Sequence, residues 1–220
     1  MKKLSHFLRT TEGKFVAFVV AVVVLSFAYY FYAMKGGADA PIPEVTVSES
    51  DHVRGAAGAK VTLVEFGDLQ CPACAAYEPI VRQVLAENPG VLQLVFKHYP
   101  LTQIHQNALI AAKASEAASL QGKFWEMHDM MYDTQKDWAG SLGARDIFIT
   151  YATTLGLDVA KFTQDLNSED IEKKIIAEYK EGTSLGVRGT PTFFVNGKLI
   201  ESPGSVEAFN TVIRDAAAAN

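Results

Sequence analysis

Apolar and polar positions change period several times along the chain. Phe15 to Met34 carries no charge and is dominated by Val, Ala, Phe and Tyr. At helical rise its roughly twenty residues span about 30 Å, the thickness of a hydrocarbon core, so a bilayer-crossing helix is expected. Between Gly36 and Glu49 the pattern breaks, and Gly36-Gly37 with two prolines marks a linker containing a short extended piece at Val45-Thr46-Val47. Lys60 to Phe66 is a β-branched apolar run that reads as a buried strand stopping at Gly67-Asp68. A helix should follow at once: Pro72 suits a first turn, and Ala75, Tyr77, Ile80, Val81 and Val84 carry the period toward Asn88-Pro89-Gly90. Val91 to Lys97 is a second strand, and strand, helix, strand in this order predicts a parallel βαβ unit.

From Ile104 to about Leu166 the period turns helical. Ala108, Ala111, Ala112, Ser115 and Ala118 share one stripe, Ile147, Phe148, Tyr151, Ala152 and Leu155 another, and three or four helices are expected. Ser168 caps a further helix with Ile171, Ile175, Ile176 and Tyr179 on one face, ending at Gly182 or Gly186. Thr192 to Val195 and Lys198 to Ile200 flank Asn196-Gly197, a linker that favours a type I′ hairpin. Ser205 and Glu207 open a last amphipathic helix carrying Val206, Phe209, Val212 and Ile213.

Charge orients this picture. Lys2, Lys3, Arg9 and Lys14 precede the apolar segment against a single Glu12, which keeps the N-terminus cytoplasmic and exports the rest. A cleaved signal peptide is the competing account, with Ala38-Asp39-Ala40 as the cleavage site. The length of the apolar run and the Pro41 that would begin the mature chain favour an uncleaved anchor. The expected division is a cytoplasmic stretch over 1–14, a transmembrane signal-anchor over 15–34, a linker over 35–50 and one domain over 51–220, its helical insertion at about 102–167. The net charge of −5 offers no basic face for phosphate backbones, so nucleic-acid binding is excluded.

The chain has only two cysteines, in Cys71-Pro72-Ala73-Cys74, which rules out a multiply stapled scaffold or a four-Cys zinc site. At a strand-to-helix junction, Cys71 meets unpaired N–H groups and the positive end of a helix dipole, both of which favour thiolate over thiol. Cys74, one turn on, is placed to resolve mixed disulfides. Two other readings compete. A static disulfide would close a ring too small to remove much chain entropy. A Cys2His2 metal site would need a His-x3–5-His pair that the five histidines do not form.

Three stretches in this sequence resemble the DsbA family of bacterial thiol oxidases, especially its single-anchor, BdbD-type branch. They are Val64-Glu65-Phe66 through Cys74; Phe96-Lys97-His98-Tyr99-Pro100-Leu101 with Ile104-His105; and Gly189-Thr190-Pro191-Thr192-Phe193-Phe194-Val195-Asn196-Gly197. The resemblance spans roughly 50 to 215 and implies an α/β thioredoxin-like fold with an inserted helical subdomain, preceded by a transmembrane helix. It implies Pro191 as a cis-proline packed against the cysteines and Thr190 as the residue presenting backbone groups to a substrate strand. Strand alternation puts Glu65 on the side of Val61 and Leu63, where burial would raise its pKa. The family has an acid at this place, implying a proton relay to Cys74.

His98 and His105 fit the family pattern and read as hydrogen-bonded structural residues. Trp125, His128 and Trp138 read as core, and Asp165, Glu169 and Asp170 as a solvated helix end. No cofactor or metal is expected. Reduced or unfolded exported proteins are the implied substrates, a membrane protein the implied reoxidant, and a monomer the implied state. Pro-Ala in place of the Pro-His of well-known members implies a weaker oxidant. A reductase or isomerase, or an anchored binding module with a structural CxxC, remain the alternatives.

Overall fold

A computed structural model describes residues 11–35, 44–56 and 58–219. Two units are distinguished, over residues 1–42 and 43–220. In the first, helix α1 (Thr11–Lys35) includes a stretch, Lys14–Tyr32, long and apolar enough to cross a membrane.

The second unit is built on β1 (His52–Gly55), β2 (Val61–Gly67), β3 (Leu92–His98), β4 (Thr192–Val195) and β5 (Lys198–Leu199), in sheet order β1-β3-β2-β4-β5. β2 and β3 pair in parallel, Leu63 beside Leu94, and the other pairs are antiparallel. Helix α2 (Pro72–Glu87) makes the crossover between β2 and β3. After β3 come α3 (Ala108–Ser119), α4 (Phe124–Asp133), α5 (Gln135–Trp138), α6 (Ala144–Thr154), α7 (Val159–Asp165) and α8 (Glu169–Ser184), and α9 (Val206–Ala218) closes the chain.

Alternation along β2 sorts the core into two layers. Val61 and Leu63 pack with Val81 and Val84 of α2 and with Phe209 and Ile213 of α9. Val64 and Phe66 face the other way, against Val95, Phe194, Tyr99 and Val187, with Tyr179 of α8 over them. A third cluster holds the helical subdomain together around Trp138, Phe148, Phe162, Met127 and Met131. Cys71 and Cys74 join it, so the cysteines lie where the subdomain meets the sheet.

The caps behave as their chemistry predicts: Ser168 accepts from Ile171 N–H and Ser205 from Ala208 N–H. Asn196 (φ 47°) and Gly197 (φ 84°) both take the left-handed conformation that a type I′ turn requires. Elsewhere the structure departs from the sequence reading. Edge strand β1 was not expected. The expected insertion contains five helical segments among the described residues, beginning at Ala108. Gly182 lies inside α8, because a Cβ there would stand 2.9 Å from the rings of Phe66 and Tyr99, so glycine permits the close helix–sheet approach. In the expected linker, 36–43 lie outside the described residues. Val45 beyond them is buried, not solvated, and its N–H donates to Gly197 O at 3.3 Å.

Candidate active site

Cys71 is the N-cap of α2, in extended conformation (φ −68°, ψ 122°), with Pro72 as the first helical residue. A proline there sacrifices no helical hydrogen bond, because the first N–H groups of a helix have no partner. Both cysteines are free thiols; Cys71 keeps 6% of its surface exposed and Cys74 none. Their environments pull them apart. A hydrogen bond from the Cys74 thiol, the Thr190 side chain and the backbone N–H groups of Cys74 and Ala73 bring Cys71 down to about 5, against the opposing effect of burial. Cys74 is pushed well up, first by burial, then by its bond to Cys71 and by the charge of Glu65, with the Asp68 backbone N–H partly offsetting this.

Opposite the pair, the Thr190–Pro191 peptide bond is cis, and Thr190 O accepts from Cys71 Sγ at 3.3 Å. Thr190, Pro191 and Cys71 thus converge on one spot, whereas Cys74 and Glu65 lie beneath it. Glu65 is 5% exposed, and its carboxyl is raised to about 8, mainly by burial, then by the charges of Glu78 and Cys71. Glu78, one turn after Cys74, is raised by burial while Arg82 beside it pulls it down (2.7 Å). It lines an open cleft of about 540 Å³ with Ala75, Arg82, Tyr132 and Asp133. A second cleft of about 500 Å³ shares Ala75, Tyr132 and Asp133 and reaches Pro72 and Gln135.

The histidines divide. His98 is buried, within 3.2 Å of Glu116 and 3.4 Å of Ser115 Oγ. His105 instead reaches the redox loop, Nδ1 lying 2.7 Å from Asp68 Oδ2. His128 is held down to about 4 by burial and packs edge-on to Phe96 and Tyr132. Two acid and histidine clusters have ligand-like spacing, His98/Glu116/Glu178 and Glu78/His128/Asp129. Each already has its cation: Lys174 Nζ bonds both Glu116 and Glu178, whereas Arg82 and Arg54 bond Glu78 and Asp129.

Sequence reasoning passed over the residues that shape the loop before Cys71. Gln135 Nε2 donates to Leu69 O and Cys71 O, the Tyr132 hydroxyl donates to Asp68 O, and Asn107 N–H donates to Gln70 Oε1. Only Asp68 left a trace in the sequence, as a turn-forming acid three residues before the first cysteine.

A family model described as Thioredoxin matches residues 47–215. Two relatives named as Na(+)/H(+) antiporters, from Salinispora tropica and Salinispora arenicola, are 39% and 42% identical over 168 and 169 residues, which is 76% of this chain but 25% of each relative. The chain thus spans a quarter of the length of these relatives. Among solved structures, oxidised BdbD from Bacillus subtilis matches with TM-score 0.68 and 20% identity, over 80% of this chain and 97% of its own. Alpha-DsbA1 from Wolbachia pipientis matches with TM-score 0.68 and 19% identity, over 80% and 94%. A thioredoxin-like oxidoreductase from Silicibacter pomeroyi gives 0.66 and 24%, over 79% and 95%. The solved structures share this chain's fold, and the family match over residues 47–215 makes the chain a member of the thioredoxin family.

Proposed function

We propose that the chain is a membrane-tethered, extracytoplasmic protein-disulfide oxidoreductase acting as a dithiol oxidase on exported proteins. The observation that carries this reading is the opposite displacement of the two thiols. A thiol held at about 5 is ionised at neutral pH and leaves a mixed disulfide readily. Stabilising the thiolate stabilises the reduced pair, and a pair whose reduced form is favoured gives its disulfide away.

In the forward direction a client thiolate attacks Cys71 Sγ of the Cys71–Cys74 disulfide and releases Cys74. A second client thiolate then attacks the client sulfur, forming the client disulfide and expelling Cys71 as thiolate. Two electrons pass to the chain, and the released Cys74 thiolate takes a proton, for which Glu65 beneath it is the acid. Thr190 and Pro191 offer backbone to the client strand opposite Cys71. A membrane redox partner would then withdraw the two electrons. α1 is the tether that precedes the catalytic domain. The relatives named as antiporters, whose chains are much longer, support work beside a membrane.

Purified full-length chain in detergent micelles, oxidised and mixed with a reduced client, should transfer its disulfide and equilibrate with glutathione near or above the glutathione potential. Cys71→Ser should abolish transfer. A potential far below that of glutathione, or a Cys71→Ser variant oxidising at the wild-type rate, would sink the reading. A reporter fused after residue 50 should be active only outside the cytoplasm.

A further inference from the structure

The loop from Asp68 to Cys71 joins β2 to α2 without belonging to either, so no hydrogen-bond ladder fixes its shape. Asp68 fixes it instead. Its side chain is fully enclosed, with Oδ1 accepting from Gln70 N–H (2.8 Å) and Oδ2 from Leu101 N–H (2.9 Å) and from His105 Nδ1 (2.7 Å). A carboxylate only accepts, so the proton in the histidine contact belongs to Nδ1. The Asp68 carbonyl accepts in turn from Cys71 N–H (2.9 Å) and the Tyr132 hydroxyl (3.3 Å). One residue therefore ties the backbone of the reactive cysteine to the loop after β3 and to α4.

We propose that Asp68, held by His105, is the positioning residue of the redox centre, fixing the loop so that Cys71 Sγ sits where the first N–H groups of α2 reach it. The proposal rests on the oxidoreductase reading above and names the residues that tune it. Asp68 touches neither the client nor a reacting sulfur through its side chain. It acts on Cys71, which lies outside the helix as its N-cap and whose N–H is fixed by the Asp68 carbonyl. Hydrogen bonds weaken steeply with distance and angle, so a loop free to rotate surrenders thiolate stabilisation while the helix itself stays formed. His105 closes the arrangement from the protein surface, its side chain 15% exposed, and supplies the donor without which a buried carboxylate is short of partners.

The test compares full-length wild type, Asp68→Ala, His105→Ala and His105→Gln in detergent micelles. It measures equilibrium with glutathione, the Cys71 thiolate titration by ultraviolet absorbance and thermal melting by circular dichroism. Asp68→Ala empties the centre of the loop and can fail to fold, so His105→Ala decides. It should raise the Cys71 pKa and shift the glutathione equilibrium about tenfold toward the disulfide, about 30 mV for a two-electron couple. His105→Gln, whose amide can donate to the same carboxylate, should restore the equilibrium to within about threefold of wild type. If His105→Ala keeps the wild-type equilibrium and thiolate pKa, with or without a lower melting temperature, the proposal is overturned and the pair only supports the fold. If instead the wild type proves a poor oxidant, the functional reading falls, while the difference between His105→Ala and wild type still decides the positioning role.

Discussion

Glu65→Gln should make the reduced protein more stable, and increasingly so as pH rises. Glu65 is raised from 4.5 to about 8 in the folded chain, chiefly by burial. Between those values the folded state keeps a proton that the unfolded state has released, so stability falls as pH rises across this window. At about 1.4 kcal/mol per pH unit, the interval from 4.5 to neutrality costs the wild type about 3 kcal/mol at pH 7 and about 1 kcal/mol at pH 5. Gln has nearly the shape of the protonated carboxyl and no charge to lose, so it escapes the cost. Denaturant unfolding of the full chain followed by tryptophan fluorescence measures this directly, because both tryptophans, Trp125 and Trp138, lie in the helical subdomain. A gain near 3 kcal/mol at pH 7 that shrinks toward pH 5 is expected. An unchanged stability, or a difference that does not vary with pH, would refute the burial argument and with it the basis for a proton relay.

Titrating the reduced chain by thiolate absorbance should give a midpoint near 5 for Cys71, and a midpoint above 8 would contradict the converging donors. Because that folded value is depressed from 9.0, its contribution to the stability of the reduced protein is full above about pH 9 and is lost as pH falls toward 5. Gly182→Ala should cost about 2 kcal/mol in thermal or denaturant unfolding, since its Cβ would stand 2.9 Å from the Phe66 and Tyr99 rings. Lys174→Met removes the ammonium shared by Glu116 and Glu178, both buried, and should cost about 3 kcal/mol; a loss under about 0.5 kcal/mol would mean that the carboxylates are screened by water.

What could be read ahead of the structure followed from how local the physics is. β2 announced itself through a β-branched run, α2 through proline at its first position and the hairpin through Asn196-Gly197, all decided within a few residues. Glu65 was legible because alternation alone puts it inward with Val61 and Leu63. β1 was not: His52-Val53-Arg54-Gly55 is a short mixed run that becomes a strand by pairing with the free edge of β3. α5 and α7, four and seven residues long, are too short to display a helical period. The loop residues were hidden for a deeper reason. Gln135 lies 64 residues from the Cys71 carbonyl it bonds, and His105 lies 37 from Asp68, so nothing in local pattern connects them.

The two halves of the centre follow from the Cys74–Cys71 hydrogen bond and from burial, with the direction of α2 adding to both. Its N-terminus gives unpaired N–H groups to the residue at its start, and one turn later that supply has ended. Cys71 has the Cys74 thiol as its strongest donor, with the N–H groups of Cys74 and Ala73 adding to it, and is held low, while Cys74 receives burial and is held high. A thiol so placed takes part in exchange only if a proton can come and go, and a buried acid with a value close to neutrality whose charge reaches Cys74 is Glu65. The stability that this buried acid costs is thus the counterpart of its proposed use: a carboxyl with an ordinary pKa would spare the fold but could not protonate Cys74 at neutral pH. Restoring stability with Gln while slowing the return of a proton to Cys74 would be the combined signature of a residue kept for chemistry at the expense of the fold.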